Sequence, residues 1–303
     1  MKALLICPSI RPAVPHLAET GPLVTAQVLG DSIVCHWIEH LAALGARRVR
    51  ILASDRADKV RADVGDGARW GVRVEVISTT VELSETEAAE RFRPEGETDW
   101  LPGPHAILRM SHLPGCPNLP LFESYAGWFE AVLGWLPHAL TPSRVRVSEI
   151  APGIWVGRRA RVSPQAKLIG PCWIGDQVYV EPGAVVGPSA IIEDRAVVEG
   201  DSLVTQSWVA PDTFIGPMTS VAASLASGST LVNWRTDSSL HVPDPFLMCS
   251  LARPQSAALI DRFGRSLAKP GHDPRSNPNW IDAWRARSNH NGDFKGLGRV
   301  VPR

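Results

Sequence analysis

The chain has 303 residues, with 31 Lys+Arg against 31 Asp+Glu and 44% hydrophobic residues. That apolar content excludes global disorder, and zero net charge leaves no overall field for a phosphate backbone, so nucleic acid is not an expected partner. Five scattered cysteines without a C-x-x-C pair, no signal-like leader and no apolar run of about 18 residues predict a reduced, cytoplasmic protein with no membrane partner.

The first half reads as α/β. Residues 3–7 (ALLIC) predict a buried strand followed by a loop over 8–21. Asp31 is the predicted N-cap of a helix over 32–44, with Ile33, Val34, Trp37, Ile38, Leu41 and Leu44 on one face and Gly45 as its stop. His36 and His40 share a face of that helix and read as solvated. Strands are predicted over 48–53 and 72–77, with a helix over 55–66 between them. Asp55 either caps that helix or meets a ribose or base. Ser84 and Glu87 form a capping-box pattern opening a helix over 85–92. The Pro/Gly-rich stretch 94–104 is loop. A fourth strand over 105–110 is flanked by His105 and His112, both candidate ligand contacts. An apolar, aromatic helix spans 120–136, and Pro137 and Pro142 close this domain, 1–150. Strand–helix alternation predicts a parallel sheet that binds its ligand at the carboxyl ends of its strands.

A period of six begins at Val156. Val162, Leu168, Ile174, Val180, Val186, Ile192, Val198 and Val204 follow at steps of six, and small residues such as Ala166, Cys172, Ala184 and Ala190 recur four places after the aliphatics. After a five-residue step the series resumes at Val209, Ile215 and Val221. Alternation in an ordinary sheet has period two, so the pattern predicts triangular coils of a parallel β-helix, aliphatics inward and Gly or Pro at corners. This domain is placed at 151–252. Trp208 falls on a small position at the five-residue step and suggests local repacking. Asp176, Glu181, Glu193, Asp194, Glu199 and Asp201 are expected outside and solvated, and Cys172 as inert core. No His lies between His138 and His241, which weighs against a β-helix acyltransferase. The segment 231–251 suggests strands that finish the coil. Residues 253–303 are expected to hold a helix and a polar tail, with Trp280 and Trp284 spaced for docking.

IGDQVYVEPGAVVG resembles the hexapeptide repeats of left-handed β-helix proteins. An α/β half before such a β-helix resembles the sugar-phosphate nucleotidyltransferases. Gly30-Asp31-Ser32-Ile33 running into WIEHLAALGARRVRIL looks like that family's first helix and second strand, and Gly21-Pro22-Leu23-Val24 sits where the family carries Lys-Pro-Leu. The resemblance implies a Rossmann-like nucleotidyltransferase domain followed by a left-handed parallel β-helix. It implies a reaction joining an NTP and a sugar 1-phosphate, with release of pyrophosphate and with Mg2+ as cofactor. Arg11 takes the place of the family's phosphate-contacting Arg as the catalytic candidate. Ser9, Gly21, Asp55 and His112 are the nucleotide-binding candidates. The chain also departs from the family. Its first loop reads CPSIRPAVPHLAETGP, with three prolines and no glycine before Gly21, where the family has a Gly-rich loop. Gly21 replaces the family Lys, and the fourth strand ends in Arg109-Met110-Ser111-His112 without the family's metal-binding Asp. Three functions are therefore carried forward: a transferase, a non-catalytic nucleotide-sugar-binding or assembly subunit and, least favoured, a β-helix acyltransferase. Homo-oligomerisation is expected of any of them.

Overall fold

The computed structural model describes residues 1–93, 99–138 and 147–252. In the first half β1 (Lys2–Ile6) leads through a long loop to a short hairpin, β2 (Gln27–Val28) and β3 (Asp31–Ser32), and then to α1 (Ile33–Ala43). β4 (Arg48–Ala53), α2 (Ala57–Val64), β5 (Arg73–Ser78), α3 (Glu85–Phe92), β6 (Ile107–Arg109) and α4 (Tyr125–Trp135) follow. The four long-range strands pair in parallel in the order β5-β4-β1-β6. The turn of direction lies at β1: later strands add on one side through β4 and on the other through β6. Brought together at one sheet edge are the residues just after Ile6, Ala53, Ser78 and Arg109.

Local chemistry explains the boundaries. Ser84 accepts from the Glu87 backbone N–H while the Glu87 carboxylate accepts from the Ser84 N–H, so α3 opens on the expected capping box. The cap of α1 is Ser32 rather than Asp31. Asp31 is engaged in the hairpin opposite Val28, and the Ser32 hydroxyl accepts from Cys35 N–H and donates to Asp63. The last helix starts at Tyr125 rather than 120, because Ser124 caps it and Leu121 N–H bonds Ser111 C=O instead.

The second half begins with β7 (Val147–Ala151), antiparallel to β8 (Ile154–Gly157). The coils then run through β9 (Arg161–Val162), β10 (Lys167–Leu168), β11 (Cys172–Ile174), β12 (Tyr179–Val180), β13 (Val185–Val186), β14 (Ala190–Ile192), β15 (Val197–Val198), β16 (Leu203–Thr205), β17 (Ser207–Val209), β18 (Thr213–Ile215), β19 (Ser220–Ala222) and β20 (Ser224–Ser227). Every third strand stacks in parallel on the last, giving three faces: β8-β11-β14-β17-β20, β9-β12-β15-β18 and β10-β13-β16-β19. This is the triangular parallel β-helix that the hexads predict. The aliphatics from Leu168 to Val204 are buried inside it with Val209, Ile215 and Val221, and each contributes about 1.5–3 kcal/mol of transfer free energy. Three further strands, β21 (Thr230–Asn233), β22 (Ser238–His241) and β23 (Met248–Ser250), pair antiparallel at the end of the coils and cover open edges. The predicted helix over 255–267 and the Trp280–Trp284 pair lie outside the described residues.

The coil repeat is 18 residues from Trp155 to Trp173 to Ile191, then 17 from Ile191 to Trp208 to Leu225. The shorter corners pass through Gln206 and Ala223 with φ of 47° and 50°. Shortening restores register: Trp208 stands beside Ile191 in an outward column, not at an inward small position. Trp155, Trp173, Ile191, Trp208, Leu225 and Val232 line this column, and all are buried in one core with α1, α4 and the underside of the α/β sheet. Trp128 of α4 meets Trp208 edge-on at 6.1 Å, and Phe129 stacks on Trp234 at 5.2 Å.

Candidate functional site

Four loops meet at the carboxyl edge of the sheet. The loop after β5 contributes Glu82, whose side chain is 13% exposed. Its carboxylate accepts from Ser9 N–H at 2.8 Å, Ser9 Oγ at 2.9 Å, Arg11 Nη2 at 2.7 and 2.8 Å, and Arg109 Nη2 at 2.6 Å. Arg11 Nη1 also donates to Ser9 Oγ at 2.7 Å. Burial pushes the Glu82 carboxyl up. The Ser9 N–H, Arg109, Arg11 and the Ser9 hydroxyl outweigh burial and hold it at about 2. Two guanidinium groups, a hydroxyl and a backbone N–H form a cradle suited to an oxyanion, and Glu82 is the oxyanion in it.

A second knot lies beside the first. Arg56, in the left-handed region at φ 39°, donates to both Asp55 oxygens at 2.9 and 2.8 Å, to Ala18 C=O at 2.9 Å and to Gly21 C=O at 2.7 Å. Lys59 adds a bond to Thr20 C=O at 2.6 Å. The buried Cys7 thiol is pushed up by burial first, and then by the Glu82 and Asp55 charges.

The sequence-derived candidates therefore divide. Ser9 and Arg11 come together as expected, but on Glu82. Gly21 and Asp55 also come together, through Arg56; Asp55 does not cap α2, whose N-cap position is Arg56 itself. A Cβ on Gly21 would stand 2.6 Å from Thr25 Oγ1, so close packing already accounts for that glycine. His112 belongs elsewhere. Its ring meets Trp37 edge-on at 5.3 Å, its C=O accepts from Trp37 Nε1 at 3.0 Å, and burial pulls its pKa down. His105 lies at the other end of β6 and pairs with His40, whose pKa burial and then His105 lower. His36 is not solvated: it is buried, with Nε2 2.7 Å from Val28 C=O and its ring 4.5 Å from that of Trp135. Arg109 and Glu82 were missed, since a lone Glu in a short loop carries no sequence signal.

The donor set does not fit the Mg2+ that the resemblance implies. Glu82 and Asp55 are both already bound by guanidinium groups on both oxygens. Among the described residues, no three His, Cys, Asp or Glu side chains converge as a metal site would require.

A further unexpected carboxylate sits where the halves meet. Glu193, expected in solvent, is fully buried. It accepts from Leu29 N–H at 2.7 Å, Gly30 N–H at 2.9 Å and Trp208 Nε1 at 3.1 Å. Leu29 and Gly30 form the β2–β3 turn at φ 51° and 86°, which aims both N–H groups at one point. Burial and the neighbouring Asp194 push Glu193 up to about 7, against the pull of its three donors. Asp194 and Asp176 are buried as well, Asp194 accepting from Asp176 N–H at 2.8 Å and Asp176 from Arg159. Cys172 is inert core as expected, its thiol pushed by burial up to about 12.

No family model matches the chain, and no curated protein matches it. Among solved structures it is similar to the acetyltransferase domain of PglB from Neisseria gonorrhoeae FA1090 in complex with acetyl coenzyme A. Identity is 15% and the TM-score 0.24, over 60% of this chain and 89% of that one. A second structure of that domain gives the same identity and score, over 60% and 88%. No helix among the described residues is long and apolar enough to cross a membrane.

Proposed function

We propose that this chain is a non-catalytic relative of the sugar-phosphate nucleotidyltransferases that binds a nucleotide-sugar at the carboxyl edge of the β5-β4-β1-β6 sheet. The observation that carries this reading is Glu82 seated on Arg11 and Arg109. Nucleotidyl transfer needs cationic groups and a metal to neutralise charge at the reacting phosphate. Here one carboxylate already engages both cations and cancels one of their two charges, and the nearby Asp55 is consumed by Arg56. The parallel sheet still offers the ligand position that such sheets use, outside its strand ends. A cytoplasmic setting in activated-sugar or polysaccharide metabolism, a left-handed coil and self-association belong to the same proposal. Exposed Leu240 on β22, with Met218 and Phe246 in nearby turns, supports the last of these.

The test uses the full chain with Mg2+ and a panel of NTPs and sugar 1-phosphates. No pyrophosphate is expected, while one NDP-sugar raises the melting temperature saturably. Turnover that Arg11→Ala abolishes would restore the transferase reading. Failure of every NDP-sugar to bind overturns the proposal, and tighter binding of acetyl coenzyme A than of any NDP-sugar would redirect it to acyl transfer. Light scattering tests the assembly, and a monomer contradicts it.

A further inference from the structure

The cradle around Glu82 has the chemistry of a site for a phosphate-type anion, filled by a side chain. Ser9 supplies an N–H and a hydroxyl, Arg11 approaches from the same loop after β1 and Arg109 from the end of β6; all of these meet the Glu82 carboxylate at 2.6 to 2.9 Å. A diphosphate presents the same acceptor geometry with more charge, and guanidinium groups bind it in the same forked way.

Apart from the Glu82 carboxylate itself and a hydrogen bond from the Thr79 hydroxyl to Val81 C=O at 3.0 Å, the segment that carries Glu82 is anchored at its ends. On one side Thr79 N–H bonds Ala53 C=O. On the other, Leu83 is buried against Leu4, Ile6, Leu52 and Trp100, and Ser84 caps α3. Between these anchors Thr80 and Val81 are exposed, Val81 at 58%. When Glu82 swings outward, its carboxylate regains water. Arg11 and Arg109 are themselves 30% and 46% exposed, so an incoming anion can reach them.

We propose that residues 80–82 are a self-inhibiting strap. Its Glu82 carboxylate occupies the Ser9–Arg11–Arg109 cradle in place of a diphosphate, and a diphosphate-bearing ligand binds by displacing it. This deepens the nucleotide-sugar reading above and rests on it for the identity of the natural ligand. The strap sets a threshold: ligands with one weak negative charge do not outcompete Glu82, whereas a diphosphate does.

The experiment titrates inorganic pyrophosphate into the full wild-type chain and into Glu82→Gln by calorimetry. Glu82→Gln is expected to bind at least about tenfold more tightly, and Arg11→Ala placed in the Glu82→Gln background is expected to remove the gain. Equal affinity of wild type and Glu82→Gln overturns the strap. Should Glu82→Gln fold poorly, hydrogen exchange on the wild type decides. Pyrophosphate that binds and speeds exchange across 80–83 supports displacement; pyrophosphate that binds without changing it, or that fails to bind at millimolar concentration, overturns it. The two readings fail separately. A gain in pyrophosphate affinity without NDP-sugar binding by either protein keeps the strap and removes the nucleotide-sugar. NDP-sugar binding by the wild type with no gain in Glu82→Gln does the reverse.

Discussion

Glu82 and Glu193 are both shielded carboxylates with several N–H or O–H donors, yet they are driven in opposite directions. At the strand-end loops, two of the partners of Glu82 are cations that water can still reach, and its carboxyl is held at about 2. At the junction of the two halves, all three donors to Glu193 are neutral, water is excluded and Asp194 stands beside it, so its carboxyl rises to about 7. Four donor groups against three do not by themselves set the two carboxyls on opposite sides of the ordinary value. Partner charge and depth do, and they assign different work: one carboxylate occupies a cationic site, the other fastens two parts of the chain.

The largest expected effect comes from opening the junction to water. Trp173→Ala removes a ring that is 1% exposed beside Gly30 and should cost about 3–5 kcal/mol in denaturant unfolding. If the elevated Glu193 carboxyl depends on dryness, it should also fall toward the ordinary range, which carboxyl NMR would read. An unchanged value in a folded variant would break the comparison. Glu193→Ala comes next. It strands the Leu29 and Gly30 N–H groups and the Trp208 indole, and a loss of at least about 2 kcal/mol is expected, given about 1–3 kcal/mol for each buried unsatisfied donor.

The pH dependence has opposite signs at the two sites. Because folding raises the Glu193 pKa, the stability it contributes is fully present below the unfolded value of 4.5 and is lost as pH rises through about 7. Because folding lowers the Glu82 pKa, its contribution is present above 4.5 and is lost as pH falls through about 2. Unfolding midpoints from pH 2 to 8 should show both limbs. Glu193→Gln should flatten the neutral limb and Glu82→Gln the acid limb; a shared response would erase the distinction. The smallest effect is expected at Arg195, whose pair with Asp212 at 2.7 Å lies on the exterior of the coils. Arg195→Ala should cost less than about 1 kcal/mol, with the difference shrinking further in salt.

The coil interior was legible because its rule is local: an aliphatic residue every sixth place is forced by the geometry of one short face, whatever surrounds it. The α/β elements were legible for the same reason, down to the capping box at Ser84. The cover over the coil was not. Trp208 read as a bulky ring on a small position until the 17-residue coil set it in the outward column that Trp155 and Trp173 hold at the 18-residue repeat, and the five-residue step at Val204–Val209 was the available clue. Glu193 read as solvated because nothing in its own hexad announces that Leu29 and Gly30, more than 160 residues earlier, will close over it. At the candidate site, Arg11 was set against the family's Arg in a loop that otherwise departs from the family's, with Ser9 near it, and the structure brings the two together on Glu82. Glu82 comes from the loop after β5 and Arg109 from the end of β6, and only the strand order that sets Ile6 beside Arg109 makes them partners.

The Leu29–Glu193 bond also bears on how the chain is made. Ribosomal synthesis completes α4, with Trp128, Phe129 and Trp135, before any of the coil that will cover it exists, whereas each coil finds its partner strand about 18 residues away. The coils can zip locally one after another, and the long-range closure waits for the third of them. In that interval the apolar side of α4 is open to solvent, and to any chaperone that binds such surfaces.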